Sequence, residues 1–276
     1  MKRPGRWIAL TAVAAALASS APAAAQETAA DAPPGRVVVA DGHVDLGPRF
    51  AAGAWTIEIR DDTGAAPVWR HLEDVVLHAG AGARAEVPQG GEYAFLGAPG
   101  SPVWLLPQTQ RAGTVWPGWN TQDPGTTAKV GREVTWRLRS VQGPGSFSLF
   151  LTGAFGAPRV VFDSRKPLPQ ETGIEAGSHV HGNWAFGAAG TYLLGLEMSA
   201  LTVDGGRVSD DRVLRIHLGD GDPASAFAVA PPAGANQAPG GAPILVWAIG
   251  ALVVASGLGA LVVLLVRRRA RRAEVG

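Results

Sequence analysis

The 276-residue chain contains no cysteine. This excludes disulfides, thiolate metal sites and thiol nucleophiles. The fold must rest on its core, and any metal site must draw on His, Asp or Glu. Charge is sparse, at 17% of residues. Sustained helical periodicity is missing outside the two ends, and 37 Gly with 21 Pro interrupt the chain throughout. Missing too are a Gly-x-Ser-x-Gly elbow, a His-Glu-x-x-His pair and a phosphate-binding glycine loop, so the chain reads as a non-enzyme. The carboxylate pairs Asp61-Asp62 and Asp210-Asp211 lie beside turn signals, where carboxylates serve local roles, and they lack a glycosidase pattern.

What is present begins at the ends. Lys2, Arg3 and Arg6 precede the apolar run Trp7 to Ala18 and the small residues Ala23-Ala24-Ala25, the pattern of a secretory signal over residues 1–25. Residues 244–266 are uncharged and apolar, long enough to span a ~30 Å hydrocarbon core as a helix. Arg267, Arg268, Arg269, Arg271 and Arg272 follow at once and predict a cytoplasmic tail over 267–276. The expectation is a single-pass cell-membrane protein with its body outside and its C-terminus inside. Without the end segments, 16 basic residues face 22 acidic ones, a net charge of about −6. That balance excludes a nucleic-acid partner, which needs a basic footprint.

Residues 26–35 read as an Ala/Pro lead-in and 220–243 as an Ala/Pro/Gly stalk. Between them, 36–219 reads as strands. Trp55, Ile57 and Ile59 alternate with polar residues, as do Val134, Trp136 and Leu138, and then Phe147, Leu149 and Leu151. Short apolar runs at Val37–Val39, Val75–Leu77, Tyr93–Leu96, Val103–Leu106, Val160–Phe162, Trp184–Phe186, Tyr192–Met198 and Val213–Leu218 complete the set. Gln142-Gly143-Pro144-Gly145 and Asp204-Gly205-Gly206 predict hairpin turns. Gly190-Thr191-Tyr192 resembles the tyrosine corner of immunoglobulin-like domains. The expected class is all-β, an immunoglobulin-like β-sandwich ectodomain carrying one C-terminal transmembrane helix.

Three segments carry candidate chemistry. His43 and Asp45 stand at i and i+2, as do His179 and His181, so in extended chain each pair leaves one face. Side chains ~7 Å apart at their Cβ atoms can converge on one ion. Three imidazoles and a carboxylate suit Zn²⁺ better than Mn²⁺, with affinity expected to fall as pH drops through about 6.5. The same spacing also fits exposed polar residues and an Asx turn. His71, His78 and His217 read as structural or surface residues. The third segment holds Trp104, Gln108, Gln110, Trp116, Trp119 and Asn120. Aromatics with amides form either a face for a glycan or protein, or plugs for a cysteine-free core. Val115 beside Trp116 favours a core position for Trp116 and leaves Trp119 open.

Asp41–Phe50, Leu96–Gly100, Val103–Gln110, Val115–Gln122 and His179–Phe186, in that order, resemble the actinobacterial surface-anchored domain family described by its variable anchor, choice-of-anchor M. The resemblance spans about Val37 to Gly219. It implies an exported accessory protein, often encoded beside an ABC importer of the zinc and manganese type, whose partner is that importer or its binding protein. It assigns no catalytic residue. An LPxTG-like sorting signal carried by some relatives is missing here, so the expected anchor is the helix itself.

Overall fold

The computed structural model describes residues 29–153 and 156–231. The expected signal segment and the expected membrane helix at 244–266 lie outside them. Among the described residues no helix is long and apolar enough to cross a membrane.

The first nine strands are β1 (Ala30–Asp31), β2 (Val37–Val39), β3 (Gly42–Ala51), β4 (Ala54–Asp61), β5 (Val68–His71), β6 (Val75–Ala79), β7 (Arg84–Glu86), β8 (Pro102–Leu106) and β9 (Val115–Asn120). A short helix α1 (Pro124–Lys129) follows, started by Pro124 and by Asp123, whose carboxylate accepts from Thr126 N at 2.9 Å. Then come β10 (Val130–Gln142), β11 (Phe147–Thr152), β12 (Pro158–Asp163) and β13 (Gln170–Glu175). The last four are β14 (His179–His181), β15 (Asn183–Phe186), β16 (Gly190–Thr202) and β17 (Arg207–Leu218).

The all-β class holds. The strands form three sheets, however, where an immunoglobulin-like sandwich has two: β1-β5-β4-β3-β9-β14, β13-β10-β16-β17-β6-β2, and β12-β11-β15-β8-β7. Several pairings are parallel, among them β3 with β9 and β6 with β17. Alternation in sequence reports which face of a strand is apolar, not which strand lies beside it.

One core joins all three sheets. Val44, Leu46, Ile57 and Ile59 of the first sheet meet Trp136, Leu138, Leu194 and Ile216 of the second and Phe147, Leu149, Trp184 and Phe186 of the third. Four expectations need correction. The Gln142–Gly145 turn is no hairpin, because β10 and β11 belong to different sheets. Its glycines let the backbone lie on Tyr192, where a Cβ at Gly143 would come within 2.3 Å of the ring. Tyr93–Leu96 is not a strand but continues from a 3₁₀ turn, packing its side chains over a small apolar cluster on the third sheet. The 26–35 lead-in supplies β1, paired with β5. The 220–243 stretch begins with the 3₁₀ helix Pro223–Ala228, whose Ala226 is fully buried.

The Asp204–Gly206 turn does join β16 to β17, with Gly205 at φ +86°. The tyrosine corner is present as local geometry. Tyr192 Oη donates to the Ala188 carbonyl at 3.0 Å and accepts from Ala188 N at 3.2 Å.

Candidate metal centre

The site is built on the outer face of β3, β9 and β14. In register, His43 lies opposite Trp116, Asp45 opposite Gly118 and His181 opposite Gly118 from the other side; His179 lies opposite Asn120. Period-2 alternation puts Val44, Leu46 and Trp119 on the core face and His43, Asp45, Trp116, Gly118, Asn120, His179 and His181 on the other. Asp45 and His181 stand two strands apart, with only Gly118 between them. A Cβ there would lie 2.4 Å from Asp45 Oδ1 and 2.8 Å from His181 Cε1. The missing side chain is what lets the two groups meet.

The structure thus brings the two His-bearing segments together. His43, Asp45, His179 and His181 each offer one ligand atom, all within 4.8 Å of one another. The Nε2 atoms of His43 and His181 are 3.2 Å apart, and those of His181 and His179 are 3.1 Å apart. Asp45 Oδ1 lies 3.3 Å from His43 Nε2, 3.0 Å from His179 Nε2 and 3.9 Å from His181 Nε2. A tetrahedron with bonds of 2.0–2.1 Å has edges of about 3.3 Å. Four of the separations, at 3.0–3.3 Å, match that edge, one is longer at 3.9 Å, and the donor set has the type and nearly the spacing of a tetrahedral zinc site.

Supporting contacts orient the ligands. Asp62 Oδ2 lies 2.9 Å from His43 Nδ1, which directs the lone pair of Nε2 inward, and Arg60 Nε donates to Asp62 Oδ1 at 2.8 Å. Asn120 Nδ2 donates to Asp45 Oδ2 at 3.0 Å, leaving Oδ1 for the centre. The Trp116 indole stacks flat on the His181 ring, with centroids 3.6 Å apart and planes 11° apart. Trp116 Nε1 donates to the Gln108 carbonyl at 3.0 Å, which fixes the indole. Behind the stack, His181 Nδ1 is buried facing the Pro117 carbonyl, outside hydrogen-bond geometry.

Without a cation, protons compensate the charge. Burial works against a charge on His43, but hydrogen bonds with Asp45 and Asp62 outweigh it and push the imidazole up to about 9. Burial likewise opposes the Asp45 carboxylate, yet its bonds with His179 and His43 hold it well below the usual carboxylate range. His181 goes the other way: burial, only partly opposed by the Asp45 charge, pushes it down to about 4. The pocket thus combines a fixed anion, one neutral imidazole and one imidazole carrying a proton where a metal cation would sit.

The Trp/Gln segment resolves differently from its expected roles. Trp119 is core, 5% exposed, against Trp136 at 5.3 Å between ring centroids. Removing it should cost ~3–5 kcal/mol. Trp116 is half-buried and walls the histidine site, so its expected core position is not found. Gln108 Oε1 accepts from Thr152 N, and Asn120 is buried under the site. Trp104 is half-buried; of the six, Gln110 alone is exposed.

Sequence reasoning missed Asp62, which it placed among turn carboxylates, and Gly118, which it passed over within Trp-Pro-Gly-Trp-Asn. The available signal was that a glycine between two tryptophans in an extended run makes room for something. Compared with protein families, curated proteins and solved structures, the chain finds no match.

Proposed function

We propose that this chain is a membrane-anchored cell-surface protein that binds a divalent metal, zinc in preference to manganese, as cargo for an ABC importer. The observation that carries the metal reading is the convergence of three Nε2 atoms and one carboxylate oxygen within 4.8 Å of one another, at near-tetrahedral spacing. Borderline-soft imidazoles in a four-coordinate set suit Zn²⁺, whereas Mn²⁺ favours more oxygen ligands in octahedral array. The importer and the membrane anchor rest on the resemblance and on the 244–266 run, not on the site. No step of bond chemistry is assigned, and the protein reads as a binder rather than an enzyme.

The glycan- or protein-binding alternative through the Trp/Gln segment receives less support, because most of its residues are turned into the core or into the histidine site. The test is elemental analysis and calorimetry on the purified full chain, made without a His tag. One zinc per chain, displaced poorly by manganese, is the expected result. A chain that takes up neither metal would remove the metal reading.

A further inference from the structure

Within that metal reading, the four ligands are not equivalent. Asp45 is fully buried and held by Asn120. The His181 side chain is 10% exposed beneath the Trp116 stack, and His43, 19% exposed, is tied to Asp62. His179 differs in exposure and in packing. Its side chain is 31% exposed, the most of the four, and it stands at the start of the edge strand β14, which it shares with His181. Its recorded bonds all run through Nε2 into the site, to Asp45 and His181. Among the described residues, no bond orients its Nδ1.

We infer that His179 is the exchangeable arm of the site, the ligand through which the metal enters and is handed on. With four protein ligands the centre is closed, so cargo leaves only when a protein ligand gives way. The cost of release falls on the ligand with the fewest supports, because Asn120 holds Asp45, Asp62 holds His43 and the Trp116 indole packs flat on the His181 ring. The step is a ligand substitution with no change of oxidation state. The metal bond to His179 Nε2 breaks, and a bond to an incoming imidazole or carboxylate forms on the same solvent side. The freed imidazole remains neutral or takes a proton from water. Asp45, His43 and His181 keep hold until the acceptor has engaged.

The test uses the full chain loaded with zinc alone and a chromophoric pyridylazo chelator as acceptor. His179→Ala and His181→Ala are compared with wild type for zinc affinity and for transfer rate, with circular dichroism confirming the fold. Wild type should transfer zinc at a rate that rises with chelator concentration. His179→Ala should keep one zinc per chain, lose less affinity than His181→Ala, and release its zinc at least ~tenfold faster than wild type. Zinc-edge absorption should show one imidazole fewer in that variant. Equal loss of binding in both variants, or an unchanged transfer rate in His179→Ala, overturns the exchangeable arm while the metal site stands. A wild-type chain that binds no zinc overturns both. If His181→Ala does not fold, Asp45→Asn replaces it as the anchored-ligand comparison; it should lose more zinc affinity than His179→Ala, and an equal or smaller loss overturns the exchangeable arm.

Discussion

Two histidine clusters in this molecule are both made by cross-strand register, and they end in opposite states. His78 and His217 are direct partners on β6 and β17, with ring centroids 5.7 Å apart. Their nitrogens turn to the protein: His78 Nδ1 lies 3.1 Å from the His217 carbonyl, and His217 Nδ1 lies 2.9 Å from the Thr191 hydroxyl. Burial, reinforced by neighbouring His78, keeps the His217 imidazole below its ordinary pKa. At the other cluster His43 is as distant in sequence from its partners, while His179 and His181 are two residues apart on one strand, and three Nε2 atoms face one carboxylate. The difference is the spacer. β9 stands between β3 and β14 and offers Gly118 at the crossing point, so side chains two strands apart lean inward over it. Adjacent histidines turn to the protein; a carboxylate and a histidine on either side of an empty position close a cage.

The largest effect expected from this contrast is on metal-dependent stability. Zinc that binds only the folded chain should raise stability by ~4 kcal/mol at about 1,000 times its Kd. His179→Ala combined with His181→Ala should abolish the rise in Tm, and His217→Ala should leave it intact. A zinc shift that survives the double variant, or that vanishes with His217→Ala, would place the metal away from His179 and His181.

Next in size is Gly118→Ala. The backbone there is ordinary strand, so no conformational strain opposes alanine. The new methyl would nevertheless overlap Asp45 Oδ1 and the His181 ring. Zinc binding should be lost, with a folding cost of about 1–3 kcal/mol from overpacking. Thermal melts with and without zinc read both effects. A Gly118→Ala chain with wild-type zinc affinity would mean that the spacer does not shape the cage.

Much of this was legible in the sequence. The same-face pairs His43/Asp45 and His179/His181 follow from strand period alone, and so does the all-β class. What the sequence could not supply is partnership. Val115-Trp-Pro-Gly-Trp-Asn120 contains three residues that disfavour strands, Pro117, Gly118 and Asn120, and its role as the central strand of the site depends on a parallel pairing with β3, distant in sequence. Trp116 and Trp119 differ by three positions, hence by opposite faces, but which face is core is decided by the sheets that pack beneath. Asp62 looked like a turn residue because it does follow a strand end. Its second role appears only once His43 lies opposite it.

pH should separate the clusters as well. Zinc must displace the proton on His43, so affinity should rise about tenfold per pH unit up to about 9, not level off near 6.5 as the unperturbed imidazole would predict. Calorimetry in buffers of different ionisation enthalpy should record about one proton released per zinc near neutral pH. The metal-free chain should show the reverse trend. His43 has a folded pKa raised above its unfolded value, so its contribution to stability is full below about 6.5 and is lost as pH rises through about 9. His181, with its pKa lowered to about 4, contributes above about 6.5 and loses that contribution as pH falls toward 4. His217 is displaced downward and should contribute no loss on the alkaline side. Flat zinc affinity between pH 7 and 9 would contradict the protonated His43.

The smallest effect, and the one that tests the support of the cage, is Asp62→Asn. The carboxylate accepts from Arg60 and faces His43 Nδ1, so it fixes both the tautomer and the ring plane of that ligand. An amide keeps the shape, but it cannot offer two anionic acceptors and would turn an NH₂ toward one of its two donors. Zinc affinity should fall about 10–100-fold, the usual range for an outer partner of a metal-bound histidine. A merely structural role would lower affinity without moving its pH dependence. Loss of the Asp62 charge should also lower the His43 pKa, so the pH at which zinc affinity levels off should move down from about 9. Titrating affinity against pH in both chains separates the two. A shifted plateau with His78 and His217 unperturbed places the effect at His43 and not in a general loosening of the fold. An unshifted one would mean that Asp62 serves Arg60 alone.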